Sequence, residues 1–344
     1  MALGDHLDDY DFELPEDRIA QTPLGDRAAS RLLCLDPHSG AISDRHFRDV
    51  TTILRAGDLL ILNETRVTAR RLLGQRPSGA KVEALILRKQ AVGIYEALMR
   101  PGKRLKPGGV VLFEGGIEAI VMAELGDGVK VIGLDPPDTD LTQMGSAPLP
   151  PYIHEVLEDE ERYQTIYAQT GGSAAAPTAG LHFTLEILAT LKASGVQIGF
   201  VSLDVSLDTF RPVQVERLDD HKMFGEACRV PPETATLIAR CTGRIIAVGT
   251  TTVRTLESMA TGPREVATGE MVSRLFIRPG YTFKVIDGMF TNFHLPKTTM
   301  LMMISALAGR PHVLRAYAHA LAGGYRFLSF GDSMLILPGS NESK

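Results

Sequence analysis

Two hydrophobic patterns share this chain. In the first, short apolar runs predicted as strands (31–36, 58–62, 196–203, 244–248 and 327–329) alternate with stretches of helical period. The helical stretches are 47–54, 158–169, 184–192, 231–241, 250–259, 298–308 and 312–321. Their ends carry the usual signals. Thr184 is an N-cap and Gly195 a stop for one helix, and Pro231-Pro232 opens the next. Met300, Met302 and Met303 fall among apolar neighbours at helical spacing and read as core.

The second pattern fills 67–135. The runs KVEALILR, GIYEALMRP, GGVVLFEGG, IEAIVMAEL and VKVIGL follow one another with Gly or Pro between them. Gly115-Gly116 reads as a tight hairpin turn. This spacing predicts a small antiparallel barrel or sandwich. Pro136-Pro137 and the Pro-rich stretch 148–151 act as stiff connectors. The simplest architecture is a mixed α/β main domain formed by both chain ends (1–63 and 148–344), with a small antiparallel β-barrel domain (64–147) inserted.

Composition narrows the class. With 344 residues, 44% hydrophobic and 22% charged, the chain is neither disordered nor a disulfide-stapled miniature. The longest apolar run, 300–308, is about half of what crossing a bilayer requires, so no membrane partner is expected. The acidic opening MALGDHLDDYDF lacks the layout of a secretion signal. Cys34, Cys228 and Cys241 are widely spaced, which speaks against a structural zinc and for a reducing, cytoplasmic setting. The net charge of −5 hides an asymmetry: 55–106 carries twelve Lys/Arg against four Asp/Glu, and 114–161 twelve Asp/Glu against one Lys. A basic block of that kind can attract phosphates, or simply be a solvated face.

No Walker loop, G-x-G-x-x-G, H-E-x-x-H or G-x-S-x-G is present, so nucleotide hydrolysis, dinucleotide chemistry, zincin and α/β-hydrolase activities lose their support. Five polar clusters remain at element ends, where sites sit in α/β proteins. Asn63-Glu64-Thr65-Arg66 follows a strand, and is either a ligand contact or an Asx turn. In the segment 174–183, Pro177, Thr178, Ala179 and Gly180 lead to His182 just before a helix. Small residues there let a backbone approach a flat ligand, and a neutral His182 is a usable base. Gly249, Thr250 and Thr251, with Arg254, form a strand-to-helix anion receptor or a simple cap. Asn292, His294 and Lys297 form a second polar rim, or a capping motif. Asp219, Asp220 and His221, with Glu226 nearby, could be acid–base machinery or plain surface.

Taken together, these clusters resemble the S-adenosylmethionine:tRNA ribosyltransferase-isomerase family of queuosine biosynthesis. The resemblance runs from DYDFELPEDRIAQTP through SRLLCLD, GDLLILNETRV, PLPPYI and YQTIYAQTGGSAAAPTAGLHFT, and on to VGTTTVRTLES, TNFHLPK and YRFLSFGDSMLIL, nearly the whole chain. It implies an α/β domain with an inserted barrel, and a transferase that moves the ribosyl group of S-adenosylmethionine onto 7-aminomethyl-7-deazaguanine at a tRNA wobble position. The product is epoxyqueuosine, with adenine and methionine released. S-adenosylmethionine is then a co-substrate; no tightly bound cofactor and no metal are implied. A tRNA anticodon arm is the partner, meeting the basic stretch 55–106, and the protein is expected as a cytoplasmic monomer.

On that reading His182 is the first candidate for general acid/base, with His221 and His294 behind it. Gly249, Thr250, Thr251 and Arg254 hold the donor's carboxylate or a phosphate. Asn63, Thr65 and Arg66 contact the substrate base or RNA, and Tyr163 and Tyr167, one helical turn apart, stack on a base or pack in the core. Pro177–Gly180, Asn292 and Lys297 complete the binding set. Three positions depart from the family's pattern: Asp204 and Phe224 stand where it has histidines, and Ser206 where it has glycine. Asp204 therefore joins the catalytic candidates. A diverged paralogue that binds S-adenosylmethionine or RNA, but acts on another acceptor or does not turn over, is the alternative.

Overall fold

The fold is built around two cores, seen in a computed structural model that describes residues 5–126, 128–141, 144–205, 213, 215–223 and 225–339. The chain divides into two units, Met1–Thr65 with Pro151–Gln169 and Pro177–Lys344, and Arg66–Pro150 with Thr170–Ala176.

The first unit is mixed α/β. Its strands are β1 (Arg31–Leu35), β2 (Ile42–His46), β3 (Leu59–Asn63), β4 (Gln197–Leu203), β5 (Glu226–Val230), β6 (Ile245–Val248), β7 (Gly269–Ser273), β8 (Gly288–Asn292) and β9 (Ser333–Ile336). They form one sheet in the order β7-β5-β4-β3-β6-β8-β9-β1-β2. Its centre, β4-β3-β6-β8, is parallel. Every residue of β3, β6 and β8 is buried, as strands covered on both faces must be. The helices are α1 (Val50–Ile53), α2 (Leu185–Ala193), α3 (Pro232–Arg240), α4 (Thr250–Ser258), α5 (Thr299–Ala308) and α6 (Arg310–Ala322). Thr184 caps α2, its hydroxyl accepting from Ile187 N. Leu32, Phe47, Leu60, Phe183, Leu191 and Phe290 pack into one core.

The second unit holds a closed antiparallel barrel of six strands, Arg70–Gln75, Lys81–Ala91, Ile94–Arg100, Val110–Phe113, Glu118–Gly126 and Val129–Asp135. Buried positions alternate along its strands, and Leu72, Ile86, Tyr95, Val111, Val121 and Ile132 fill the interior. Gly115 and Gly116 turn between two strands at φ 79° and 78°, as the Gly-Gly pair predicts.

Two expected elements differ. The helix over 158–169 is a single 3-10 turn, Glu160–Tyr163, capped by Asp159. From its last residue onward Tyr163, Gln164, Thr165 and Tyr167 are all buried. Four buried positions among five cannot share one face of a surface helix, so burial overrides the local signal. The last strand is β9, not 327–329. Leu328 has φ 69°, and the Asp332 carboxylate accepts from the amides of Arg326 and Arg31, folding 326–332 into a turn.

Candidate active site

Alternate residues of a strand face opposite sides, and residues just past parallel strand ends line the crevice where α/β proteins hold ligands. Here those ends are Leu203 of β4, Asn63 of β3, Val248 of β6 and Asn292 of β8. Three of the polar clusters meet there, joined by the loop that carries His182.

Asn63 and Thr65 lace this edge together. The Thr65 hydroxyl lies 2.6 Å from Asn63 Oδ1 and 3.1 Å from the Leu203 carbonyl, and Asn63 Nδ2 donates to Thr251 Oγ1 at 3.2 Å. Both side chains are buried, so they set the shape of the rim as an Asx-type turn rather than reach outward. Gly249 has φ 90°, which suits glycine, and its amide donates to the Phe290 carbonyl. α4 starts immediately after it without a side-chain cap, so the first amides of Thr250 and Thr251 lack intrahelical acceptors.

A 3-10 turn, Thr178–His182, crosses this edge. Gly180 is needed there because a Cβ would collide with the Tyr167 hydroxyl. The Thr178 hydroxyl donates to Asn292 Oδ1 at 2.9 Å, which fixes the amide so that Nδ2 faces His182 Nε2 at 3.4 Å. On the other side His182 Nδ1 lies 2.8 Å from Ser30 Oγ, whose hydroxyl donates onward to the Arg27 carbonyl at 3.3 Å. This network assigns the proton to Nδ1 and leaves the Nε2 lone pair toward Asn292. The ring packs on Phe47, with centroids 5.1 Å apart. Burial first, then the charges of Arg326 and Arg27, pull its pKa down to about 3. His182 is therefore neutral at physiological pH, as expected, because of burial and the nearby arginines.

Other candidates lie elsewhere. His294 Nε2 is 2.7 Å from Thr291 Oγ1, and its amide donates to the Tyr317 hydroxyl of α6. Thr291 and Asn292 are consecutive in β8 and point to opposite faces, so the sheet separates His294 from His182. Burial also takes His294 down to about 3. His221 is half-buried against Phe276, and burial lowers its pKa. Arg254 pairs with Glu226, both buried, so its charge is already matched by a carboxylate and not offered to an anion. Glu226 is accordingly not a partner for His221. Lys297 pairs with Asp8 at 2.8 Å and Asp11 at 3.0 Å. Tyr163 and Tyr167 pack edge-on or tilted against Phe330 and Phe200 inside the core and offer no stacking face. Arg66 lies in the second unit and is half-buried. Asp204 follows Leu203 directly, and burial and then Glu270 raise its pKa. Ser206 and Phe224 lie outside the described residues.

A further group of side chains that meet beside His182 has no signature in the sequence. His182 and Ser30 line a small cleft, about 20 Å³ of enclosed space and partly open to solvent, whose wall also includes Arg27, Arg162 and Arg326 from three distant segments. Only folding brings them together. In the barrel unit the basic stretch is partly neutralised: Arg71 pairs with Glu83, Arg88 with Glu96 and Lys106 with Glu124. Arg100, Lys103 and Arg104 stay exposed. Among the described residues no helix is long and apolar enough to cross a membrane, and no His/Cys/Asp/Glu cluster could hold a metal.

Comparison with known proteins shows what the whole chain is similar to. The family described as "Queuosine biosynthesis protein" matches residues 7–336. Proteins of Desulfitobacterium hafniense and Symbiobacterium thermophilum, each named S-adenosylmethionine:tRNA ribosyltransferase-isomerase, are 49% identical over 339 residues, covering 96% of this chain and 99% of theirs. The crystal structure of an S-adenosylmethionine tRNA ribosyltransferase from Thermotoga maritima is similar at 35% identity and a TM-score of 0.55, covering 95% of this chain and 99% of that one.

Proposed function

Because the chain belongs to the queuosine biosynthesis protein family, we propose that the rim joining β3, α4, the Thr178–His182 turn and Asn292 is where it transfers and rearranges a ribosyl group. The activity is that of an S-adenosylmethionine:tRNA ribosyltransferase-isomerase, a transferase. The observation that carries the site is the convergence of neutral His182, Thr178 and Asn292 on the C-terminal edge of the parallel strands.

The residue roles are part of the same proposal. The uncapped start of α4, with Gly249, Thr250 and Thr251, takes the donor's carboxylate on free amides. The sulfonium of the donor acidifies the neighbouring C5′ protons of its ribose. His182 Nε2 carries the lone pair that accepts one of them once Asn292 Nδ2, which donates to it here, turns aside, while Ser30 holds the ring from Nδ1. The acceptor on this reading is 7-aminomethyl-7-deazaguanine at the wobble position. Its amine joins the rearranging sugar as adenine and then methionine leave, giving epoxyqueuosine. Exposed Arg100, Lys103 and Arg104 on the barrel suit RNA phosphates. Division into domains at 63/64 and 147/148, a cytoplasmic location, a monomeric state and the lack of a tightly bound cofactor belong to the same proposal.

The test is direct. The protein is mixed with S-adenosylmethionine and an anticodon stem-loop carrying 7-aminomethyl-7-deazaguanine, and free adenine and RNA mass are followed. Adenine release with a matching mass gain is expected. Binding of both ligands without adenine would overturn the reading.

A further inference from the structure

The cleft beside His182 has the chemistry of an anion site. Its three guanidinium groups come from the turn Arg27–Ala29, the turn Glu160–Tyr163 and the loop before β9. Each is held by backbone carbonyls. Arg27 donates to Leu181 O at 3.0 Å and Glu161 O at 3.1 Å, Arg162 to Gly25 O at 3.0 Å and to Leu24 O, and Arg326 to Phe330 O at 2.7 Å and Thr22 O at 3.2 Å. Carbonyls orient a guanidinium without neutralising it. Among the described residues none of the three has a carboxylate within ion-pair distance. Arg162 Nε is moreover a buried donor with no acceptor among the described residues. Burial, and after it the neighbouring Arg162 charge, lowers the pKa of Arg27, with Asp159 and Glu161 offsetting part of that from beyond ion-pair distance. Holding three like charges together at a half-buried cleft costs free energy unless an anion completes it.

We propose that the Arg27–Arg162–Arg326 cleft seats a phosphodiester of the RNA substrate, next to the nucleotide that is modified. The inference rests on tRNA being the acceptor, as read above. Charge selects the occupant. S-adenosylmethionine carries a sulfonium, an ammonium and one carboxylate, a net positive ligand that three guanidiniums repel, whereas each RNA linkage brings one negative charge. The seat also has a consequence for chemistry. Burial is the first cause that suppresses His182; a phosphate there offsets the second, the charges of Arg326 and Arg27, so the imidazole becomes a better proton acceptor once RNA is bound.

The test uses the full chain. Dissociation constants for the 7-aminomethyl-7-deazaguanine stem-loop are measured against salt for the wild type, Arg162→Gln and Arg326→Gln, beside those for S-adenosylmethionine. Each variant should weaken RNA binding about tenfold or more. The slope of log affinity against log salt should flatten by about one. Affinity for S-adenosylmethionine should hold. Weakened S-adenosylmethionine binding with RNA binding intact would assign the cleft to the donor's carboxylate and overturn the proposal, as would no change in either. If the variants fail to fold, the wild type is tested with stem-loops carrying single neutral methylphosphonate linkages. One linkage beside the modified nucleotide should show the same loss; loss at none of them overturns the proposal. Failure of the unsubstituted stem-loop to bind the wild type would instead remove the RNA reading, and this inference with it.

Discussion

Gly180→Ala tests how tightly the His182 turn is seated. A Cβ on Gly180 would lie inside van der Waals contact with the Tyr167 hydroxyl, 2.9 Å from Thr165 Cγ2 and 3.1 Å from Tyr167 Cζ. Tyr167 cannot swing away, because its ring is buried and packs on Phe200. Either the core yields, at an overpacking cost of about 1–3 kcal/mol, or the turn lifts. Lifting the turn displaces Thr178 and His182 together, and a shift of about 1 Å in a positioned group costs roughly 10²-fold in rate. Tyr167→Phe separates the causes. The Tyr167 hydroxyl has no hydrogen-bond partner among the described residues, so its removal alone should be neutral or stabilising. In the double variant the nearest remaining atoms are at 2.9 and 3.1 Å, still tight, so part of the loss should return. Urea unfolding and adenine release on all four proteins give the cycle, with an expected coupling of about 1 kcal/mol or more. A Gly180→Ala protein within about 0.5 kcal/mol of wild type, unchanged by Tyr167→Phe, would refute the reasoning.

Three further outcomes are expected. His182→Ala should lose about 10²-fold or more of adenine release while remaining folded, and near-normal turnover would remove His182 from the mechanism. Stability should fall on acidification. His182 and His294 titrate near 3 when folded, against about 6.5 unfolded, so between those values the unfolded chain binds more protons and stability rises with pH. From pH 8 to 5 each histidine should cost roughly 2 kcal/mol, and His294→Leu should halve that histidine contribution in urea unfolding, an unchanged slope counting against it. Lys297→Ala should leave affinities for S-adenosylmethionine and the stem-loop unchanged, because Lys297 is engaged by Asp8 and Asp11; a tenfold loss of either would return it to the binding set.

Local signals decided much of this protein. Buried apolar runs specified β3, β4 and β6, a Thr N-cap and a glycine stop framed α2, and the Gly-Gly pair marked a barrel turn, because each depends on neighbours close in sequence. Residue identities also carried the family, and they singled out His182, Thr178, Gly249 and Asn292. Which of those lie together was decided only by the sheet. Strand order brings β3, β6 and β8 side by side and thereby joins Asn63, Thr251, Thr178 and Asn292, residues far apart in the chain. The pleat of β8 sends Asn292 toward His182 and Thr291 toward His294, a separation that spacing in sequence cannot express. Burial turned 158–169 from a helix into a turn and took Tyr163 and Tyr167 into the core. Arg27, Arg162 and Arg326 share no local pattern, and their convergence is a property of the tertiary fold, where like charges from distant segments are held together by carbonyls.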